Sequence, residues 1–129
     1  MVFRDEINAA PEALAGSAGE HSGSVPFSVF ISRNSHGAHV LLLGELDMAS
    51  APLFQEKLSD LIAEDPGDVV LDLVSLEFVD SSGLAVILAL HKALRAQQST
   101  LIIRSPSPSA YRIFEITGLT DVLRIELDS

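Results

Sequence analysis

The sequence lacks cysteine altogether and is poor in basic residues, and each shortage excludes a class of protein. Without cysteine the chain has no disulfide framework, no thiolate chemistry and no cysteine-ligated metal site. Only 8 lysines and arginines stand against 18 aspartates and glutamates, which gives a formal net charge of -10. Binding to nucleic acid or to an anionic membrane surface requires clustered basic side chains, so the sequence argues against both.

Long apolar runs are also missing, since none approaches the roughly 20 residues that a membrane-spanning helix requires. The start of the chain, Met1 to Glu6, lacks the basic segment followed by an apolar one that marks a signal peptide. We therefore expect a cytoplasmic protein. Its 129 residues, 47% of them hydrophobic, are typical of one globular domain with a sizeable core.

Strand and helix patterns alternate along the chain and predict an α/β fold in the order β-β-α-β-α-β-α-β. Residues 1–25, rich in Ala, Gly, Ser and Glu, are expected to form a flexible tail before a domain over residues 26–129. We expect strands near 26–32, 39–46, 69–74, 99–104 and 122–127, and helices that are capped by Ser50, by residues of Asp80-Ser81-Ser82 and by Ser107. Connected in this order, the strands form a mixed sheet with helices packed on it.

The segment Glu77–Leu84 joins the central strand to the most hydrophobic helix of the sequence. We expect the strand to end at a polar hinge, Ser75, and we expect Phe78 and Val79 to pack the connection that follows. Gly83 has no Cβ and would allow another backbone to approach the first turn of the helix closely. The rest of the chain is organised around this segment.

Asp80, Ser81 and Ser82 supply side-chain oxygens for the free N–H groups at the start of this helix. The same N–H groups and the helix dipole favour negative charge, so a phosphate on Ser81 or Ser82 would be tolerated. Local chemistry by itself favours a simpler interpretation, in which both serines are ordinary caps and Gly83 only eases packing.

From Leu84 to Leu90 the same helix is apolar around its whole circumference. The sheet can bury one side, which leaves a second apolar side to account for. Exposed apolar patches usually mark contact with a partner. Neighbouring helices could equally cover this side, and the sequence leaves both alternatives open.

A catalytic function has little support in the sequence. A serine nucleophile needs a base within hydrogen-bonding distance, whereas His91 lies along the same helix, roughly 15 Å from Ser81. The Gly-x-Ser-x-Gly and P-loop patterns are absent, and the four histidines show no metal-ligand spacing. We therefore expect a chain that is not an enzyme and that has neither a metal site nor a cofactor.

Motifs along most of the chain resemble those of the bacterial anti-sigma-factor antagonists, which are single-domain STAS proteins. In the order and spacing of that family they are Gly44-Glu45-Leu46-Asp47, Val70-Leu71-Asp72-Leu73, Phe78-Val79-Asp80-Ser81-Ser82-Gly83-Leu84 and Ile116-Thr117-Gly118-Leu119. The resemblance extends from about Phe27 to about Leu127, and its Asp-Ser-Ser-Gly-Leu element is specific. It implies the STAS fold, a mixed β-sheet with helices packed on it.

The resemblance further implies transcription regulation by partner switching. The unphosphorylated chain would bind an anti-sigma factor with serine kinase activity and so free a sigma factor. That kinase would phosphorylate the serine after the aspartate, Ser81, and a serine phosphatase would reverse the step. On the same basis, the residues expected at the partner surface are Asp47, Asp80, Ser82, Gly83 and Val86.

The chain departs from the family pattern at several points. Its N-terminal extension is long, Ala85 and Ala89 stand where members often have glycine, and Met48-Ala49 replaces residues that are often more polar. Some STAS proteins keep the fold without phosphorylation and serve as subunits of larger regulatory or transport complexes. The intact Asp80-Ser81 pair argues against this alternative, a non-switching scaffold, but does not exclude it.

Overall fold

The computed structural model describes residues 25–127, so the predicted tail lies outside the described residues except for Val25. Within this range the strands are β1 (Ser28–Arg33), β2 (Gly37–Leu46), β3 (Asp68–Val79), β4 (Leu101–Arg104) and β5 (Arg124–Glu126). The helices are α1 (Ala51–Ala63), α2 (Ser81–Ala96) and α3 (Pro108–Ile116), and a short 3-10 turn spans Leu119–Asp121. The predicted α/β class and the predicted order of strands and helices are therefore confirmed.

The strands form one sheet in the order β1-β2-β3-β4-β5. β1 and β2 make the predicted antiparallel hairpin, and Asn34 Oδ1 holds its turn by accepting from the N–H groups of His36 and Gly37 at 2.7 and 3.0 Å. β2 to β5 are parallel, and a helix returns the chain across the sheet in each connection. The carboxyl ends of the parallel strands therefore lie at one edge of the sheet.

One face of the sheet carries the core. Alternate side chains of β2 and β3 are buried there, such as Val40 and Leu71, and they pack against apolar side chains from every helix. The largest fully buried side chains from the helices are Phe54, Ile87, Leu94 and Phe114. On the opposite face, Val70 and Asp72 are only partly buried. The described helices thus cover one face of the sheet and leave the other without a helical layer.

β3 differs from the sequence expectation because it continues through Ser75 to Val79 instead of ending at a polar hinge. Two irregularities in its pairing with β2 each place an extra residue in β3, so the buried positions shift to every third residue at Leu73, Leu76 and Val79. Val79 is buried as expected, whereas Phe78 is 46% exposed. The prediction that Phe78 packs the connection is wrong, because the bulged strand turns its side chain outward.

The last strand is shorter than predicted. β5 covers only Arg124–Glu126, and the inward alternation holds for Leu123, which is buried, and for Ile125, which packs on the core. Leu127 is 59% exposed. The alternating pattern therefore predicted the strand correctly but not its end.

Candidate functional site

β2 and β3 end side by side, and this brings the two predicted aspartates to one edge of the sheet. Leu46 and Val79 are the last pair in the register of the two strands. Just beyond them, the backbone N–H of Asp80 donates to the carbonyl oxygen of Leu46 at 3.1 Å. Asp47 follows Leu46 directly in the chain. Asp47 and Asp80 therefore lie at the same edge, as the order of the strands predicts.

Asp80 is the N-cap of α2. Its Oδ1 accepts hydrogen bonds from the backbone N–H groups of Ser82 at 2.8 Å and Gly83 at 3.1 Å. Its carbonyl oxygen accepts the first hydrogen bond of the helix, from the N–H of Leu84 at 2.9 Å. A carboxylate here satisfies two free donors and places negative charge at the positive end of the helix. The chain thus passes from β3 into α2 with only the cap residue between them.

Ser81 is the first helical residue of α2 and is exposed to solvent. No residue in the described part of the chain forms a hydrogen bond with its hydroxyl, since the carboxylate of Asp80 provides the cap. Ser82 is partly buried, and only its backbone N–H takes part in the cap. The interpretation of both serines as ordinary caps is therefore wrong, and the hydroxyl of Ser81 is available for other chemistry.

The start of α1 is built differently. Asp47 Oδ1 accepts from the backbone N–H groups of Ala49 and Ser50, both at 3.0 Å. The Ser50 hydroxyl donates to the carbonyl oxygen of Glu45 at 2.8 Å and accepts from the N–H of Asp47 at 2.9 Å. Ser50 is the N-cap by position, but its side chain makes no capping hydrogen bond to the helix. Its hydroxyl closes the turn between β2 and α1 instead, which corrects the capping role predicted for it.

Gly83 is buried in the first turn of α2. A Cβ on Gly83 would lie 2.6 Å from Cγ of Leu46 and 2.9 Å from Cγ2 of Val79. Only glycine therefore lets α2 begin so close to the ends of β2 and β3. The predicted close approach exists, but it involves side chains of the core rather than another backbone. Direct contact of Gly83 with a partner stays a prediction.

Val86 faces the side of α2 that α1 covers. It is only 8% exposed, and together with Leu58, Ile62 and Leu90 it lines an open groove of about 370 Å³ between the two helices. On this side the apolar circumference of α2 is covered by a neighbouring helix, which is one of the two predicted alternatives. Contact of Val86 with a partner also stays a prediction.

The other side of α2 remains open. Ala85 is exposed and continues the face on which Ser81 lies, because residues four apart share a helix face, and the exposed Ala89 lies where this face meets the groove between α1 and α2. Met48 is 74% exposed and Phe78 is 46% exposed, and both lie at the same edge of the sheet. We call these five residues the Ser81 surface. The sequence analysis singled out Met48 and the alanines only as departures from a family pattern, and it expected Phe78 to pack the connection between strand and helix.

The surroundings of this surface are acidic. Glu45, Asp47, Glu77 and Asp80 lie at this edge, and no lysine or arginine occurs from residue 34 to residue 56 or from residue 58 to residue 91. The N-terminal ends of α1 and α2, which lie at this edge, are local sources of positive potential. A phosphate on Ser81 would therefore meet the favourable end of its own helix in surroundings that are rich in carboxylates.

His91 lies three turns along α2 from Ser81 and cannot act on its hydroxyl. Its Nδ1 is buried without a hydrogen-bond partner among the described residues. Burial, together with the positive charges of Arg95 and Lys92, lowers the pKa of the imidazole.

Within residues 25–127, no group of three His, Asp or Glu side chains could hold a metal ion. None of the helices in this range is both long and apolar enough to cross a membrane.

Comparison with known proteins places this geometry in a family. The STAS domain profile matches residues 34–129. The chain is 34% identical to the anti-sigma-B factor antagonist of Bacillus subtilis strain 168 over 102 residues, which are 79% of this chain and 93% of that protein.

Solved structures agree with the sequence relatives. An anti-sigma factor antagonist from Mycobacterium paratuberculosis is 25% identical with a TM-score of 0.73, over 80% of this chain and 89% of that one. The Bacillus cell fate determinant SpoIIAA in its phosphorylated form is 25% identical with a TM-score of 0.62, over 78% of this chain and 90% of that one.

These relatives are regulatory binding proteins rather than enzymes, which agrees with the predicted absence of catalysis. The matched range begins in the β1–β2 turn and includes both aspartates and Ser81. The chain belongs to the STAS domain family.

Proposed function

We propose that this chain is an anti-sigma-factor antagonist that works by partner switching. Its unphosphorylated form binds an anti-sigma factor with serine kinase activity and so frees a sigma factor. Phosphorylation of Ser81 by that kinase ends the interaction, and a serine phosphatase restores it. The similarity to anti-sigma factor antagonists, and to SpoIIAA in its phosphorylated form, supports the proposal. In this chain, the observation that carries it is the exposed, unpaired hydroxyl of Ser81 at the start of α2.

Ser81 suits a kinase better than the serines around it. Its hydroxyl is exposed and makes no hydrogen bond within the described chain. Ser82 is partly buried, and the hydroxyl of Ser50 already has two partners at 2.8 and 2.9 Å. A phosphate on Ser81 would also lie near the free N–H groups of the first turn, which favour an anion. These differences select one serine among three at the same edge of the sheet.

Four of the five other predicted site residues divide into two groups, and contact of the fifth, Ser82, with a partner stays a prediction. Asp47 and Asp80 hold the two turns that flank the Ser81 surface, through hydrogen bonds of 2.8 to 3.1 Å. Gly83 and Val86 lie beneath the surface and pack α2 against the strand ends and α1. We infer that the first group shapes the partner surface directly and that the second supports it from within.

Release follows from charge and size. A phosphate adds about -1.5 to -2 charge at neutral pH, and the start of α2 offsets part of it, so the domain stays folded. A partner that fits a bare hydroxyl between small side chains must instead accommodate and desolvate a bulky anion in acidic surroundings. We expect a loss of a few kcal/mol of binding free energy, roughly tenfold in affinity for each 1.4 kcal/mol.

Mapping the acceptor tests the proposal. Each anti-sigma kinase encoded in the source genome is incubated with the full chain and Mg-ATP, and the product is analysed by intact mass and fragment mapping. We expect one phosphate on the wild type, on Ser82→Ala and on Ser50→Ala, and none on Ser81→Ala. Full labelling of Ser81→Ala would contradict the assignment of the acceptor. A chain that binds one of these kinases but is never labelled would instead support the non-switching scaffold.

A further inference from the structure

The face of the sheet opposite the helices is unusual for a sheet of this kind. Parallel strands are ordinarily buried on both faces. Among the described residues, however, helices cover only one face of β2 to β5. Apolar side chains of the opposite face are partly rather than fully buried, and we call them the open-face patch: Phe30, Leu41, Leu43, Val70 and Ile102. The register makes two groups of neighbours, with Phe30 beside Leu41 and Val70 beside Ile102, and these groups meet diagonally across the His39–Asp72 pair.

Charged side chains border this patch on β3, β4 and β5. Asp72, Arg104 and Glu126 form one row across these strands. Arg124 Nη2 lies 3.6 Å from Glu126 Oε2, Arg104 Nε lies 4.0 Å from Glu126 Oε1, and His39 Nε2 lies 2.9 Å from Asp72 Oδ2. The two carboxylates and two guanidinium groups on β3, β4 and β5 together carry no net charge, whereas the whole chain has a net charge of -10.

We propose that the open-face patch and its charged border form an interface between two copies of this chain. Most of the surface of so acidic a chain repels a second copy. The open face differs, because burying its patch is favourable and its border offers arginines to the partner's carboxylates and carboxylates to the partner's arginines. A twofold contact requires one surface that is complementary to itself, and this mixed border meets that requirement.

The size of the face sets the strength of the contact. The patch and its border span five strands about 4.8 Å apart and about five residues along β2, from His39 to Leu43, which gives a face of roughly 20 by 17 Å. Stable interfaces bury about 800 Å² on each partner, which is more than such a face provides. The association is therefore weak and reversible. Ser81, Met48 and the alanines of the Ser81 surface lie beyond the strand ends and on α2, so both copies keep them free, and this inference does not rest on the proposed function.

Sedimentation of the full chain from about 5 μM to about 1 mM tests the inference in the range where weak association is measurable. The wild type is expected to shift from monomer to dimer across this range. Leu41→Glu places a charge inside the patch and should weaken association at least tenfold. Ile116→Glu is the matched control, because Ile116 is a 71% exposed apolar residue of α3, away from the open face, and it should associate like the wild type.

A second variant tests the same interface without changing the apolar patch, in case Leu41→Glu fails to fold. The side chain of Arg124 is 63% exposed, so Arg124→Glu leaves the core intact, makes the border acidic and should also weaken dimerisation. A wild type that stays monomeric at about 1 mM would overturn the proposal, including the case in which residues 1–24 cover the patch. Dimerisation that both Leu41→Glu and Arg124→Glu leave unchanged would overturn it as well.

Discussion

Helices α1 and α2 begin side by side at one edge of the sheet, yet their starts are built differently. At α1 a turn separates strand and helix, and the hydroxyl of Ser50 closes it with hydrogen bonds of 2.8 and 2.9 Å. At α2 the strand runs into the helix through Asp80 alone, whose carboxylate binds two N–H groups. Both starts contain an aspartate and a serine, but only at α2 does the serine keep a free hydroxyl.

The difference shows how a fold can leave a reactive group available. A serine that caps a helix or closes a turn must break hydrogen bonds before its hydroxyl can react or be covered by a partner. At α2 the aspartate takes over the capping, and Ser81 therefore contributes nothing to the helix start through its side chain. A regulatory group can then change its chemistry without a large cost to the stability of the domain.

The largest expected effect concerns the close packing at the start of α2. Gly83→Val would place methyl groups where even a Cβ lies 2.6 Å from Leu46, and we expect the free energy of unfolding to fall by about 3 kcal/mol. Ala85→Val, two residues further on an exposed face, should cost only about 0.5 kcal/mol through helix propensity. Urea unfolding of both variants measures the difference, and equal losses would mean that the strand ends can yield to a larger side chain.

A smaller effect is expected from the cap itself. Asp80→Ala leaves the N–H groups of Ser82 and Gly83 without their acceptor, and it should lower the free energy of unfolding by about 1 to 2 kcal/mol. Asp80→Asn keeps a capping oxygen and should lose only a fraction of that amount. If Asp80→Ala proves as stable as the wild type in urea unfolding, Asp80 is not what holds the start of α2.

The smallest effect sharpens the comparison between the two serines. Ser50→Ala removes a hydroxyl with hydrogen bonds to Glu45 and Asp47 and should cost about 1 kcal/mol of unfolding free energy. Ser81→Ala removes a hydroxyl with none in the described chain and should change it by less than about 0.5 kcal/mol. Thermal unfolding of the two variants side by side checks this order. Equal losses would show that Ser81 is engaged in the folded chain after all.

Much of this site was predictable because it depends on local pattern and strand order. The apolar runs and the Asp-Ser-Ser-Gly element predict a strand, a capped helix start and the shared edge of Asp47 and Asp80. The other features of the site depend on packing distances, which the sequence does not give. Nothing in the sequence shows that Gly83 faces Leu46 and Val79, or that Asp80 alone suffices as the cap and leaves Ser81 free.

The bulges of β3 mark the limit of the sequence analysis. At the first bulge, Asp72 Oδ1 accepts from the backbone N–H of Val74 at 3.1 Å, and at the second, Gly44 of β2 has a φ of 88°. The sequence analysis ended the strand at a hinge at Ser75 and placed Phe78 in the connection, so it did not anticipate the shift in buried positions that leaves Phe78 exposed. Ser50 was misassigned in a similar way, since its position fits a cap while its hydroxyl binds the preceding turn.

The central claim is that the free hydroxyl of Ser81 is the switch, and calorimetric titration of one anti-sigma factor tests it most directly. The titrants are the wild type, its Ser81 phosphoprotein and Ser81→Ala, without ATP. We expect the wild type and Ser81→Ala to bind with similar affinity and the phosphoprotein to bind at least tenfold more weakly, a loss of about 1.4 kcal/mol or more. Equal or tighter binding by the phosphoprotein would contradict the account.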